Sequence, residues 1–303
     1  MTVTLRDDAG VELELDDCDA GYLVQQVEVG APEVRAVTDP RTMTDGVFDR
    51  TQFVGQRSIS VNLRFVTGQQ SRIDLIDALG PFLHPGRRLW LTIALDQTTP
   101  RVYRVRPDDW SAPWERPTEN AFTVSWRTAS ESPWALSVVE HDVTLTPYGG
   151  EFPGRDYFEA DLPIDSEWLA VDPNITTGRV YDRGYPESGA TTAPVVNAGN
   201  VPADWRATVY GPITGFTLLN VTTGDRLVFP TLNIPAGSNV VIDSASHSVL
   251  AEGDPGSSRY STIDFAASNW FRLAPGVNQM SVLSTVFSAP SQTHLIWRDA
   301  FML

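Results

Sequence analysis

The residues best able to do chemistry are scattered rather than clustered. Four histidines are present, His84, His141, His247 and His294, and no two fall at a metal-pair spacing such as H-x-x-x-H. His141 beside Asp142 reads as the tail of a strand, and His294 as a structural member of a terminal one. Cys18 is single, so neither an intrachain disulfide nor a cysteine zinc site is available. The sequence lacks a G-x-S-x-G elbow, a P-loop and a G-x-G-x-x-G turn after a strand. Asp7-Asp8 and Asp16-Asp17 with Asp19 could gather calcium, but the D-x-[DN]-x-[DN]-G loop is missing, and solvated turns are the stronger reading. A glycan hydrolase needs paired carboxylates across a cleft, and spacing places no such pair. The chain therefore reads as a non-enzyme, with no cofactor and no metal.

Two residue types remain. Trp110, Trp114, Trp126 and Trp134 gather in the first half, and Trp205, Trp270 and Trp297 in the second. Tryptophan carries large apolar area with one N–H to satisfy, which favours core and interface. Exposed tryptophan on a β-sandwich can instead stack on sugar rings, and Trp205 and Trp270 are the candidates for that. The run Arg101-Val102-Tyr103-Arg104-Val105-Arg106 resembles a nucleic-acid strip. In a chain of net charge −16 it reads better as a strand facing acids on a neighbouring subunit. The negative charge divides evenly between the two halves, leaving no basic domain, and backbone binding to a duplex needs clustered cations. Specific DNA binding is not expected. An acidic wall suits the opposite role, a surface that DNA slides past.

These residues must be positioned by a mostly β scaffold. The chain has 303 residues, 42% of them hydrophobic, which points to about two domains with sizeable cores. No apolar run reaches the ~18 residues of a membrane span, so no membrane anchor is expected. The first residues lack a basic and then apolar leader, which predicts synthesis in a cytoplasm. Ser58 to Leu83 is the central stretch. Ile59, Val61, Leu63 and Phe65 alternate with Ser60, Asn62 and Arg64, the period of a half-buried strand. After a break at Thr67–Gln70, Ser71 and Asp74 have the spacing of a helix start. Ile73, Leu75, Ile76 and Leu79 form one stripe, Asp74 and Asp77 lie opposite, and Gly80-Pro81 is the expected stop. So short a helix must lie on a sheet.

Around it, Val11–Leu15, Tyr22–Val29, Leu89–Leu95, Arg101–Arg106, Phe122–Arg127 and Ser137–Leu145 read as strands. Residues 33–52 have no clear period and read as a long loop or an extended hairpin arm. Residues 149–193, rich in Pro, Gly, Tyr and Asp, read as a linker or wrapping segment. From Val195 onward, short strands at Trp205–Tyr210, Phe216–Val221, Arg226–Phe229, Val240–Asp243, Ser248–Leu250, Trp270–Leu273, Met280–Val286 and His294–Arg298 alternate with Gly/Pro turns. That spacing is the mark of a β-sandwich or jelly roll.

The second half also resembles the C-terminal part of siphophage distal tail proteins and related minor tail proteins of actinobacteriophages. The matching residues are Asn197-Ala198-Gly199-Asn200-Val201-Pro202-Ala203, Val209-Tyr210-Gly211-Pro212-Ile213, Leu219-Asn220-Val221-Thr222-Thr223-Gly224, Ile242-Asp243, Trp270 through Asn278, and Ile296-Trp297-Arg298-Asp299-Ala300. Gly21-Tyr22-Leu23, Asp45-Gly46 and Gly55-Gln56-Arg57-Ser58-Ile59 are similar to the family's N-terminal hub. Gly178-Arg179-Val180-Tyr181 with Tyr185-Pro186 resembles its connector.

The resemblance implies a mainly β fold: a hub β-sandwich with one short α-helix and an extended arm over 1–148, then a galectin-like sandwich over 194–303. It implies a structural virion component at the tail tip, forming a homo-hexameric ring, or alternatively a trimer, that joins the tail tube to the adhesion device. The implied partners are further copies of the chain, the tail tube protein, the tail-tip hub or tail-associated lysin, the tape measure C-terminus and receptor-binding proteins. Phe48, Phe53, Arg57, Arg64 and Arg104 are the candidates for contacts between copies. A carbohydrate-binding module of the adhesion device is the alternative function.

Overall fold

The computed structural model describes residues 1–40, 47–66, 72–84, 86–94, 99–111, 121–130, 132–149, 192–287 and 290–303. The chain divides into two units, one of Met1–Val139 with Ala300–Leu303, the other of Glu140–Asp299.

The first unit holds β1 (Thr2–Asp7), β2 (Glu12–Glu14), β3 (Tyr22–Val29), β4 (Val34–Pro40), β5 (Val47–Val54), β6 (Arg57–Val66), α1 (Arg72–Leu83), β7 (Leu89–Ala94), β8 (Arg101–Ser111), β9 (Ala121–Ser130) and β10 (Ala135–Ser137). The main sheet runs β2-β1-β7-β8-β9-β6-β3, with β10 added on β8. β8 joins its two halves: Val105 pairs with both Leu89 of β7 and Ser130 of β9, and a bulge follows between Pro107 and Asp109. Bulges bend a strand and raise its twist. The buried face of the whole sheet supplies one core, including Val3, Leu5, Ile59, Val61, Leu63, Phe65, Leu89, Leu91, Val105, Val124 and Trp126. The alternation in β6 is thus read correctly, and β1, whose Val3 and Leu5 alternate with threonines, is a strand the sequence reading left out.

α1 covers this core with Leu75, Leu79, Phe82 and Leu83, and Tyr22 Oη donates to the Leu75 carbonyl at 3.2 Å. Two expectations for it are corrected. Ile73 is 59% exposed rather than on the buried stripe. The helix also continues past Gly80-Pro81 to Leu83. A proline there removes a single i→i−4 bond close to the helix end, and the extra turn buries Phe82 and Leu83. Ser71, the expected cap, lies outside the described residues.

The arm at 33–52 is a hairpin. β4 and β5 pair only with each other among the described residues, with a register shift between Ala36 and Thr38. Its base is closed by Glu33 N–H to Gln56 O (2.9 Å) and Gly55 N–H to Glu33 O (2.6 Å). Just before it, Gly30 N–H donates to Ser58 O at 2.9 Å, and a Cβ at Gly30 would stand 2.9 Å from Ser58 Oγ and 3.0 Å from Ser58 O, so a side chain at this crossing would force Ser58 to shift.

The second unit contains β11 (His141–Leu145), β12 (Tyr148–Gly149), β13 (Ala193–Asn197), β14 (Trp205–Tyr210), β15 (Ile213–Asn220), β16 (Arg226–Ile234), β17 (Asn239–Asp243), β18 (Ser248–Ala251), β19 (Gly276–Phe287) and β20 (Gln292–Trp297). Its two sheets run β11-β20-β14-β17-β18 and β12-β19-β15-β16, with β13 also on β19. Alternate residues Ala207, Val209, Ile242 and Leu295 of one sheet, and Leu218, Phe229, Met280 and Val282 of the other, are fully buried, as in a sandwich. β15 turns into β16 over Thr222–Asp225 as expected, with Gly224 at φ 81, a conformation that favours glycine. β21 (Ala300–Phe301) returns to the first unit and pairs with β10.

Three sequence readings change here. Ser137–Leu145 is not one strand: Ala135–Ser137 pairs with β8 in the first unit, and His141–Leu145 pairs with β20 in the second. The boundary therefore falls near 139 rather than 148. Trp270–Leu273 is no strand; Leu273 makes a single bridge to Ala203. Finally, β12 and β13 both pair with β19, at Leu283–Ser284 and at Gly276–Met280. The stretch between them, expected to be a linker, leaves from and returns to the same strand of the second unit.

Candidate interaction surfaces

The acidic N-terminal residues serve turns. Asp7 Oδ1 accepts the N–H groups of Ala9 (3.0 Å) and Val11 (2.8 Å), Asp17 Oδ1 those of Asp19 (2.9 Å) and Ala20 (3.1 Å), and Asp16 Oδ1 that of Val24 (3.3 Å). Two histidines pair with aspartates in the second unit: His141 with Asp299 at 3.1 Å and His294 with Asp142 at 3.2 Å. His141 also stacks on Trp297 at 5.4 Å.

The solvent-side face of the first unit's sheet is laid out in cross-strand rows. Glu12, Arg6, Trp90 and Arg104 stand in register across β2, β1, β7 and β8. Arg6 lies 3.9 Å from Glu12, and the Arg104 guanidinium sits 5.3 Å from the Trp90 ring centre. A second row runs Asp109, Arg127, Ser60 and Glu28, with Arg127 3.3 Å from Asp108. Arg64 occupies the same face of β6, between Thr123 and Leu23. Arg64 and Arg104 are thus on one face of the sheet. Phe48 and Phe53 lie apart from them on β5 of the arm, opposite Asp39 and Arg35.

Arg57 is a correction. It is 0% exposed, inside the first unit, and its Nη2 donates to the Met302 carbonyl at 2.6 Å. It starts a strand of alternating apolar residues on their buried side, so it faces the core and not a partner. The Arg101–Arg106 run divides likewise: Arg101 lies over the Phe301 ring at 3.5 Å, while Arg104 is on the opposite face.

In the second unit the tryptophans are mostly interior. Trp205 is 2% exposed, with its indole N–H donating to Phe271 O at 3.0 Å and its ring 5.1 Å from Phe271. Trp297 is 7% exposed and donates to Val196 O at 2.9 Å. Trp205 therefore offers no ring face to a sugar, which corrects that expectation. Trp270 is half-buried, with His247 stacked on it at 4.7 Å and Tyr260 at 6.4 Å.

The motif stretches Asn197–Ala203, Asn220–Gly224 and Trp270–Asn278 meet at one end of the sandwich through three fully buried asparagines. Asn197 Nδ2 donates to Val201 O (2.9 Å) and Leu273 O (3.1 Å). Asn220 Nδ2 donates to Asn278 Oδ1 (3.0 Å), and Asn220 Oδ1 accepts from Thr222 N–H (3.1 Å). Asn278 accepts from Ala274 N–H (3.1 Å) and donates to Ala274 O (2.8 Å) and Gly276 O (3.2 Å). These residues shape loops. A side-chain amide that both donates and accepts can close a loop on itself where a hydrophobic residue could not.

Beside this clamp, Asp204 and Asp243 carry opposite shifts. Burial, aided by the nearby Asp243 charge, raises the Asp204 carboxyl above its usual range, against the pull of Arg272. Arg272 Nε lies 2.7 Å from Asp204 Oδ1, an ion pair. Burial also pushes Asp243 up, but the Ser246 and Ala245 N–H groups and the Arg206 guanidinium outweigh it, so the carboxyl sits below its usual range.

Two kinds of likeness to known proteins bear on this arrangement. Residues 198–301, nearly all in the second unit, match the family described as siphovirus-type tail component, C-terminal domain. The chain is also similar in fold to the Dit protein of phage SPP1, at 14% identity and a TM-score of 0.59, covering 99% of this chain and 100% of that one. A further similarity is to the baseplate of phage p2 in its activated conformation with strontium, at 10% identity and a TM-score of 0.51, covering 97% of each chain. No curated protein matches the sequence. The resemblance to distal tail proteins is thereby borne out, in family over 198–301 and in fold over nearly the whole chain.

Proposed function

We propose that this chain is a structural distal tail protein of a long-tailed, non-contractile phage, acting through assembly rather than through bond chemistry. The family match over 198–301 carries this reading, and the full-length likeness to SPP1 Dit supports it, a protein described as a paradigm of the hub adsorption apparatus in phages infecting Gram-positive bacteria. In this reading the first unit closes a ring of copies, six in number, with three as the alternative, at the end of the tail tube. A cyclic ring needs a heterologous interface, one patch against a different patch. The self-paired arm β4–β5 and the charged sheet face with Arg64 and Arg104 are two such unlike surfaces on one unit. The second unit faces the adhesion device. The remaining partners are the tail tube protein, the tail-tip hub or tail-associated lysin, the tape measure C-terminus and receptor-binding proteins. The protein is made in the host cytoplasm and resides at the virion tail tip.

Mass photometry of the purified chain tests ring closure. Six times the 33.3 kDa chain mass is the expected species. A monomer at every concentration up to the tens of micromolar typical of transient interfaces, roughly −6 to −7 kcal/mol, contradicts it.

A further inference from the structure

We infer that the outer face of the second unit's β12-β19-β15-β16 sheet is an intramolecular docking surface, and that its occupant is residues 151–171 of the same chain. Successive side chains of a strand point to opposite faces of its sheet. Leu218 and Val282, paired across β15 and β19, are fully buried in the sandwich core. Their neighbours Leu219 and Leu283 therefore point the other way, out of the sandwich. Yet Leu219 is 4% exposed and Leu283 6%. Further along the same face, Val221, Val196 and its cross-strand partner Val277 are 49%, 44% and 53% exposed. One end of an apolar outer face is covered, and the other is half open.

Three observations select the occupant. First, Leu219 and Leu283 are buried within a single chain, so the cover belongs to the chain itself and not to a second copy or another partner. Second, the stretch 150–191 is attached to this sheet at both ends: Gly149 pairs with Ser284 and Ala193 with Met280, on the strand that carries Leu283. Strands lie about 4.8 Å apart, so a stretch of that length can cross the face and return. Third, the chemistry matches. Phe152, Tyr157, Phe158, Leu162, Ile164 and Trp168 stand among acids, with Arg155 as the single cation of 151–171. The charged residue in register with Leu219 is a cation, Arg226. Ordering such a stretch costs backbone and side-chain entropy comparable with what its burial returns. It therefore shields the face without holding the sandwich together. This inference concerns the second unit alone and does not depend on ring closure.

Photo-cross-linking on the full chain tests it. The cross-linking residue p-benzoylphenylalanine is placed at Thr217, which lies on the outer face in register with Leu283, and at Tyr210 on the other sheet as a control. Labelled and unlabelled chains are mixed so that mass spectrometry separates links within a chain from links between chains. The expected product joins Thr217 to a peptide within 151–171 of the same chain, and Tyr210 yields none. Val221, at the half-open end, serves if the Thr217 variant does not fold. Links only to first-unit peptides or to another copy, no link, or the same link from Tyr210 overturn the proposal. A second measurement uses the chain with 151–190 replaced by glycine and serine and the dye 8-anilinonaphthalene-1-sulfonate. Its fluorescence should rise several-fold over that with the intact chain while circular dichroism stays that of a folded sandwich. Unchanged fluorescence with a folded sandwich overturns the proposal; if the shortened chain unfolds, the cross-links decide. None of these outcomes bears on assembly, which mass photometry reads separately.

Discussion

Arg57 and Met302 are 245 residues apart in sequence and joined by a 2.6 Å hydrogen bond from Nη2 to the main-chain carbonyl. The guanidinium is fully buried, and its Nε and Nη1 have no hydrogen-bond partner among the described residues. Phe301 packs against the same core, and β21 pairs with β10. The last four residues therefore act as a latch on the first unit. Removing Met302-Leu303 strands a buried cation and should cost about 3 kcal/mol in urea unfolding. Arg57→Met removes the charge with similar volume, and should cost less. Combining the two should cost less than their sum. Strict additivity, or a neutral truncation, would show that the latch does not exist.

Asn278 is the hub of the loop clamp, accepting from Ala274 and Asn220 and donating to Ala274 and Gly276. Asn278→Ala leaves several buried partners unsatisfied at once and should destabilise the second unit by about 3 kcal/mol. Asn278→Asp keeps the shape but replaces donors with acceptors, and should be no better. Thermal unfolding checks this; a melting temperature unchanged in both variants would refute the clamp.

The stretch between Gly149 and Ala193 can be shortened. Gly149 pairs with Ser284 and Ala193 with Met280, four residues apart on β19, or about 13 Å at the rise of an extended strand. Replacing residues 151–190 with about five glycine and serine residues should leave the second unit folded, its far-ultraviolet spectrum and melting temperature nearly unchanged. A variant that unfolds would show that this stretch is required by the sandwich core.

Asp204 and Asp243 give stability profiles of opposite sign. Asp204 is raised in the folded state, so its contribution is fully present below the ordinary carboxylate pKa and is lost as pH rises through the raised value. Wild type should therefore gain on Asp204→Asn as pH falls from neutral to about 4. Asp243 is lowered, so its contribution is present above the ordinary value and lost as pH falls through the lowered one. The advantage of wild type over Asp243→Asn should hold at neutral pH and fade in acid. Denaturant unfolding across this range reads both, and slopes of the same sign would contradict the assignment.

What the sequence showed plainly was whatever depends on local period. The alternation of Ile59 to Phe65, the hairpin at Thr222–Asp225 and the strands Trp205–Tyr210 and Val240–Asp243 all form as spaced. The errors come from tertiary choices that no local pattern records. Arg57 looks like a surface residue because the groups that meet it in the interior, the Met302 carbonyl and the Tyr103 side chain, lie far along the chain. Ser137–Leu145 reads as one strand because the chain crosses between units without a glycine or proline. The family stretches were recognisable as words, but their asparagines act by closing loops, which three-dimensional contact alone reveals. A polar residue inside such a short apolar stretch, as in Leu219-Asn220-Val221, was the available signal.

Cryo-electron microscopy of intact virions tests the central claim most directly. A closed ring of this chain is expected between the end of the tail tube and the adhesion device, with neighbouring first units in contact through the β4–β5 arm. Virions whose tail end lacks density for this fold, or a chain found only away from the tail, would contradict it.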